Sequence, residues 1–93
     1  MAYATSNPPS CMVPRVGGGL AWWAYNSADA ATVVRVSGYI TNGDDLGMEV
    51  GDIVIQSDSA GATVAHIYTV VSVAAGGAAD LSDGTAIVVT DTD

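Results

Sequence analysis

Eighteen residues are valine or isoleucine, against three leucines and no phenylalanine. A β-branched side chain is stiff at χ1 and suits a pleated strand, whereas leucine is what a helical bundle would need. The chain is therefore predicted to be mainly β, and its 93 residues amount to a single domain. Alanine supplies 15 residues and threonine eight, while only 13% of the chain is charged. That is about half the roughly 25% of an average soluble domain. Two readings of this scarcity are open. Either Ser, Thr, Gly and Ala solvate the surface, or part of it is buried against copies of the chain or another protein. The second is favoured, because a chain this small rarely supplies a core that suffices alone.

The few charges are one-sided. Ten acids face two arginines and no lysine, for a formal net charge of −8. Binding to nucleic acid depends on Lys and Arg neutralising phosphates, so that class is excluded, and so is docking on an anionic membrane surface. No apolar run approaches the length of a membrane-spanning helix, and the start has neither the basic segment nor the apolar core of a secretory signal. Cys11 stands alone and makes no internal disulfide, and with His66 it is too little for a zinc site.

Residues 1–19 read as an extended arm. Pro8, Pro9, Pro14 and the run Gly17-Gly18-Gly19 prevent regular structure there. Such an arm is either a disordered terminus or a segment that orders against a partner, with Tyr3, Met12 and Val13 as apolar anchors. Residues 20–93 form the β-rich domain. Its first strand, Leu20 to Tyr25, sends Trp22 and Trp23 to opposite faces, so that one enters the core and the other meets a neighbouring subunit. Ser27 to Gly38 is predicted as one short helix near residues 28–36, with Ser27 as N-cap and Gly38 just past its end. A strand from Thr32 to Val36 is what β-propensity would prefer instead. Asn42-Gly43 marks a turn, Gly51 a tight turn, and strands follow at Ile53 to Ser57, Thr63 to Val73 and Thr85 to Thr90. The expected architecture is a small antiparallel sheet or partial barrel with one short helix over it.

Catalytic chemistry finds few residues to use. His66 lies mid-strand with no nucleophile on a sharp turn nearby, and reads as a half-buried strand residue bonded to a neighbour. Arg15 and Arg35 lack a phosphate-binding loop, and Gly17-Gly18-Gly19 lacks the spacing of a dinucleotide fingerprint. Asp44, Asp45 and Glu49, and separately Asp80 and Asp83, supply oxygens without the spacing of a calcium loop. No enzyme activity, cofactor or metal is expected.

The order of short motifs across the middle of the chain is more informative. Trp23 to Ala30, Val33 to Val36, Ser37-Gly-Tyr-Ile40, Leu46 and Val50-Gly-Asp-Ile-Val-Ile55 succeed one another over about residues 22–73. This succession resembles a recurrent module of tailed bacteriophages, and head-spike proteins of the related gene transfer agents. The pattern there is a tyrosine, Ser/Thr-Ala-Asp, a short helix, Gly-Tyr-Phe/Ile, a leucine, and Gly-Asp before an apolar strand. The phenylalanine usual after Gly-Tyr is Ile40 here. The resemblance implies a virion structural protein on the capsid exterior, assembled in the host cytoplasm. It would be a decoration or cement unit, contacting the major capsid protein or other virion proteins. It also implies a homo-oligomer, usually a trimer where capsid symmetry demands one. A head-spike or tail-fibre base is the next reading, and a glycan-adhesion module using Trp22 or Trp23 the third. Tyr3, Met12, Val13, Trp22 and Trp23 are the expected interface residues.

Overall fold

The computed structural model describes residues 3–59, 61 and 64–89. Its six strands are β1 (Ser10–Val13), β2 (Trp22–Asn26), β3 (Ile53–Ser57), β4 (Ala65–Val73), β5 (Ala79–Leu81) and β6 (Thr85–Ala86), and two short helices, α1 (Ala31–Val34) and α2 (Gly43–Leu46), lie between β2 and β3. The strands form one sheet in the order β1-β2-β3-β4-β5, with β6 also beside β4. The chain is thus mainly β, as its composition predicts. The last strand is shorter than expected, ending at Ala86, and the expected strand ends Thr63 and Thr90 lie outside the described residues.

The sheet is mixed, not antiparallel throughout. β2 and β3 run parallel, in the register Trp22↔Ile53 to Asn26↔Ser57. Parallel neighbours cannot be joined by a tight turn and need a crossover over one face. Residues 27–52 are that crossover. β3, β4 and β5 then follow as antiparallel neighbours, and β1 pairs antiparallel with β2. The arm is therefore part of the sheet: its middle is an edge strand, and Pro9 is buried.

The crossover carries two helices where one was expected. α1 begins at Ala31, with Ala30 as N-cap and no side-chain cap. Ser27 does not cap it; the Ser27 hydroxyl accepts from the Asp29 amide two residues on, 3.0 Å away. Asp29 is buried and accepts from the Tyr39 hydroxyl, so its carboxylate is tied to the core instead of the helix end. α2 grows out of the Asn42-Gly43 turn and ends at Gly47, whose φ of 94° is the left-handed cap that favours glycine.

The core lies between the sheet and this crossover. Trp23 and Tyr25 from β2, Val54 from β3, Tyr68 and Val70 from β4 and Leu81 from β5 meet Val34, Ile40 and Met48 from the crossover. Gly43 sets the closeness of that layer, because a Cβ built on it would fall 2.3 Å from the Ala79 Cβ and 2.8 Å from the Ala79 amide nitrogen. Gly43→Ala would force α2 off the β4–β5 hairpin. We expect a loss of about 1–3 kcal/mol, read as a lower urea midpoint.

Candidate functional site: an uncovered sheet face

Strand alternation that buries Trp23, Tyr25, Val54 and Tyr68 turns their neighbours to the opposite side. The register brings Val13, Trp22, Ile53 and Thr69 into one row. A second row holds Ser10, Ala24, Ile55, Ile67 and Thr85, and a third Asn26, Ser57 and Ala65. Val71 extends the first row along β4. None of these residues is charged. The acid Asp80 comes in only at the rim, on β5 opposite Ser72. No second layer among the described residues covers the face: Met12 is 66% exposed, Val13 50% and Trp22 45%. An antiparallel sheet with one wet face would show polar side chains there. This one shows isoleucine, valine and tryptophan at its centre, with uncharged Ser, Thr and Asn side chains toward its margins.

The other side of the sheet is pinned by a buried carboxylate. Asp52 is fully buried and accepts from the Arg15 guanidinium at 2.6 and 2.7 Å, the Trp23 indole at 3.1 Å, and the Ala21 and Glu49 amides at 3.2 and 3.0 Å. Burial alone would push this carboxyl up, but the hydrogen bonds from Glu49, Arg15, Ala21 and Trp23 outweigh it and hold Asp52 below the usual carboxylate range. Arg15 also lies 3.6 Å from Glu49. Arm, first central strand and crossover are thus tied at one atom pair. Further along, the Tyr68 hydroxyl donates to Gln56 Oε1 at 2.5 Å, and Gln56 Nε2 donates to the Ser27 and Asp29 carbonyls. Burial pushes the Tyr68 hydroxyl up to about 12, above the value near 10 of an unfolded chain. The neutral form is held by the fold, so its contribution is complete below about pH 10 and is lost as pH rises toward 12. We expect alkaline unfolding to begin near pH 10, and to shift when Tyr68→Phe removes one of the tyrosine hydroxyls that burial raises.

The predicted interface residues divide between the two sides. Met12, Val13 and Trp22 stand together on the open face. Trp23 is 5% exposed and belongs to the core. Tyr3 packs against Tyr25 and Tyr39, with ring centroids 6.2 and 5.7 Å away, and its hydroxyl donates to Asn42. Sequence reasoning missed the isoleucines of the face, Ile53, Ile55 and Ile67, because single strands do not reveal which side a second layer will cover.

One end of the face is hollow. A cavity of about 410 Å³ is floored by Ala24, Ile55 and Ser57 and walled by Pro8, Met12 and Ser59. Its polar groups are hydroxyls and the amides of Asn7 and Asn26, the latter donating to the Ser59 hydroxyl at 2.7 Å. His66 lies on the core side, stacked on Tyr68 at 5.9 Å. Its Nδ1 is buried without a hydrogen-bond partner among the described residues, so the bond expected there is absent and the Tyr68 ring is its contact. No helix among the described residues is long and apolar enough to cross a membrane. No family model matches the chain, and neither does any curated protein or solved structure.

Proposed function

We propose that the chain is a non-enzymatic structural protein of a bacteriophage virion, a decoration or cement protein that binds the capsid exterior as a homo-oligomer. The observation that carries the reading is the open face: a sheet surface with isoleucine, valine and tryptophan at its centre and its one acid, Asp80, at the rim, on a chain that is otherwise strongly acidic. A protein that works alone in water covers such a face with a second layer of its own. Here the covering is left to assembly. The motif order from Trp23 to Ile55 supports placing that assembly on a phage particle. The acidic remainder, with Asp44, Asp45 and Glu49 on the crossover side, would repel nucleic acid and neighbouring particles. Partners are then the chain itself and the major capsid protein or another virion protein, with the host cytoplasm as the place of assembly.

A second reading has an observation of its own. The hollow of neutral hydroxyls and amides shares its face with Trp22, which favours a glycan-adhesion module over a head-spike or tail-fibre base as the alternative. Adding the purified chain to particles that lack it separates the two. Stoichiometric co-sedimentation with particles is expected, whereas saturable glycan binding without particle binding would replace the proposal with adhesion.

A further inference from the structure

We propose that two copies of the chain meet face to face across the open sheet, related by a twofold axis that runs across the strands near Ala24, Ile55 and Ile67. This rests on the structural-protein reading and names the occupant of its face. Three observations select a second copy. The first is charge. A chain of net charge −8 repels its copies over most of its surface, and this face is the ground on which they meet without opposed acids. A cationic partner would be drawn to the crossover side instead. The second is area. Met12, Val13, Trp22, Ile67 and Val71 are 38–66% exposed on one face, and each member of a stable pair buries roughly 800 Å². Ser10, Asn26, Ser57 and Thr69 at its margins supply the rest, and their neutral groups suit either end of a copy of themselves.

The third is shape. Trp22 projects at one end of β2, and the hollow runs from Ala24 and Ile55 in the middle of the same strands to Asn26 and Ser57 at their other end. A twofold axis across the strands reverses them end for end, so it sets each Trp22 over the other copy's hollow. The contact is self-complementary, as a twofold interface must be. Two sheets then stack about 10 Å apart, the ordinary spacing of a sandwich. The pair carries both crossovers outward, with their acids on the outside.

Sedimentation equilibrium of the full chain between about 1 and 100 μM tests this, on the scale where an interface of this size associates. The mass of two chains is expected. Ile67→Glu places an unpaired carboxylate in the apolar contact, and Trp22→Ala empties the hollow. Ile67→Glu should raise the dissociation constant at least about 100-fold, because a buried charge without a partner is strongly disfavoured. Val36→Glu, an exposed apolar position of the crossover side, adds the same charge off the face and should leave the mass unchanged. It also shows whether a loss of pairing is only a general effect of charge. Near-ultraviolet circular dichroism from Trp23 reports that each variant is folded. A single chain at 100 μM, a mass of three chains, or a pair indifferent to both face substitutions overturns the inference. Particle binding keeps the two readings apart. A monomeric wild type whose Ile67→Glu variant no longer binds particles would give the face to the shell, ending the twofold pair and leaving the virion reading intact. A face-dependent pair that never binds particles would do the reverse.

Discussion

Asp52→Ala is expected to destabilise the chain by at least about 3 kcal/mol at neutral pH. The carboxylate is the common acceptor of the Arg15 guanidinium, the Trp23 indole and the Ala21 and Glu49 amides. Its removal strands the buried indole and the Ala21 amide together, and each buried donor without an acceptor costs about 1–3 kcal/mol. The arm loses its ion pair at the same time. A loss of at least about 3 kcal/mol is a large part of the 5–15 kcal/mol that separates a folded domain from its unfolded chain. Asp52→Asn keeps one acceptor oxygen but turns an amide donor toward other donors, and should lie between the two. A urea titration followed by tryptophan emission ranks the three proteins. The same group dictates the acid limb of stability. Its carboxyl lies below the ordinary 3.8 when folded, so its contribution is complete at neutral pH and is lost as pH falls below about 4. In Asp52→Asn that part of the acid limb should be missing.

The two tryptophans should behave as opposites, although they are adjacent. Trp23→Ala removes a buried indole from the core and a hydrogen bond from Asp52, and is expected to cost about 3–5 kcal/mol in the single chain. Trp22→Ala removes a half-exposed ring from the open face and should cost the single chain less than about 1 kcal/mol, as surface substitutions do. Its effect should appear as lost association. Urea midpoints measured at low concentration isolate the first effect, and sedimentation at high concentration the second. Equal costs in the dilute chain would mean that the open face is not open.

That opposition was legible in the sequence, since alternation alone sends neighbours in a strand to opposite faces. The strand Ile53 to Ser57 was equally legible from its apolar run between Gly51-Asp52 and the Ser-rich loop. The parallel pairing of β2 and β3 was not. It depends on a crossover of residues 27–52 whose turn signals at Gly38, Asn42-Gly43 and Gly51 read locally as separate links. α2 was hidden for the same reason, because the Asn-Gly pair that marks a turn here opens a helical turn before Gly47 stops it. Ser27 looked like a cap because the residues after it fit one. Tertiary bonding decided otherwise once Tyr39 drew Asp29 inward. The bond between Arg15 and Asp52 joins residues 37 apart in sequence, and no local pattern announces such a pair. For the candidate site, composition indicated a surface too poor in charge to stand alone. Only the register showed that Val13, Trp22, Ile53, Ile55 and Ile67 share one uncharged face.

The most direct test of that face as an assembly surface is acrylamide quenching of tryptophan emission as the chain is diluted. Trp22 is 45% exposed and Trp23 5% exposed in the single chain, so the dilute protein should quench in two phases, one accessible and one protected. In the concentrated protein, and on particles, the accessible phase should disappear because Trp22 is covered. An accessible phase that persists unchanged at every concentration and on particles would contradict it.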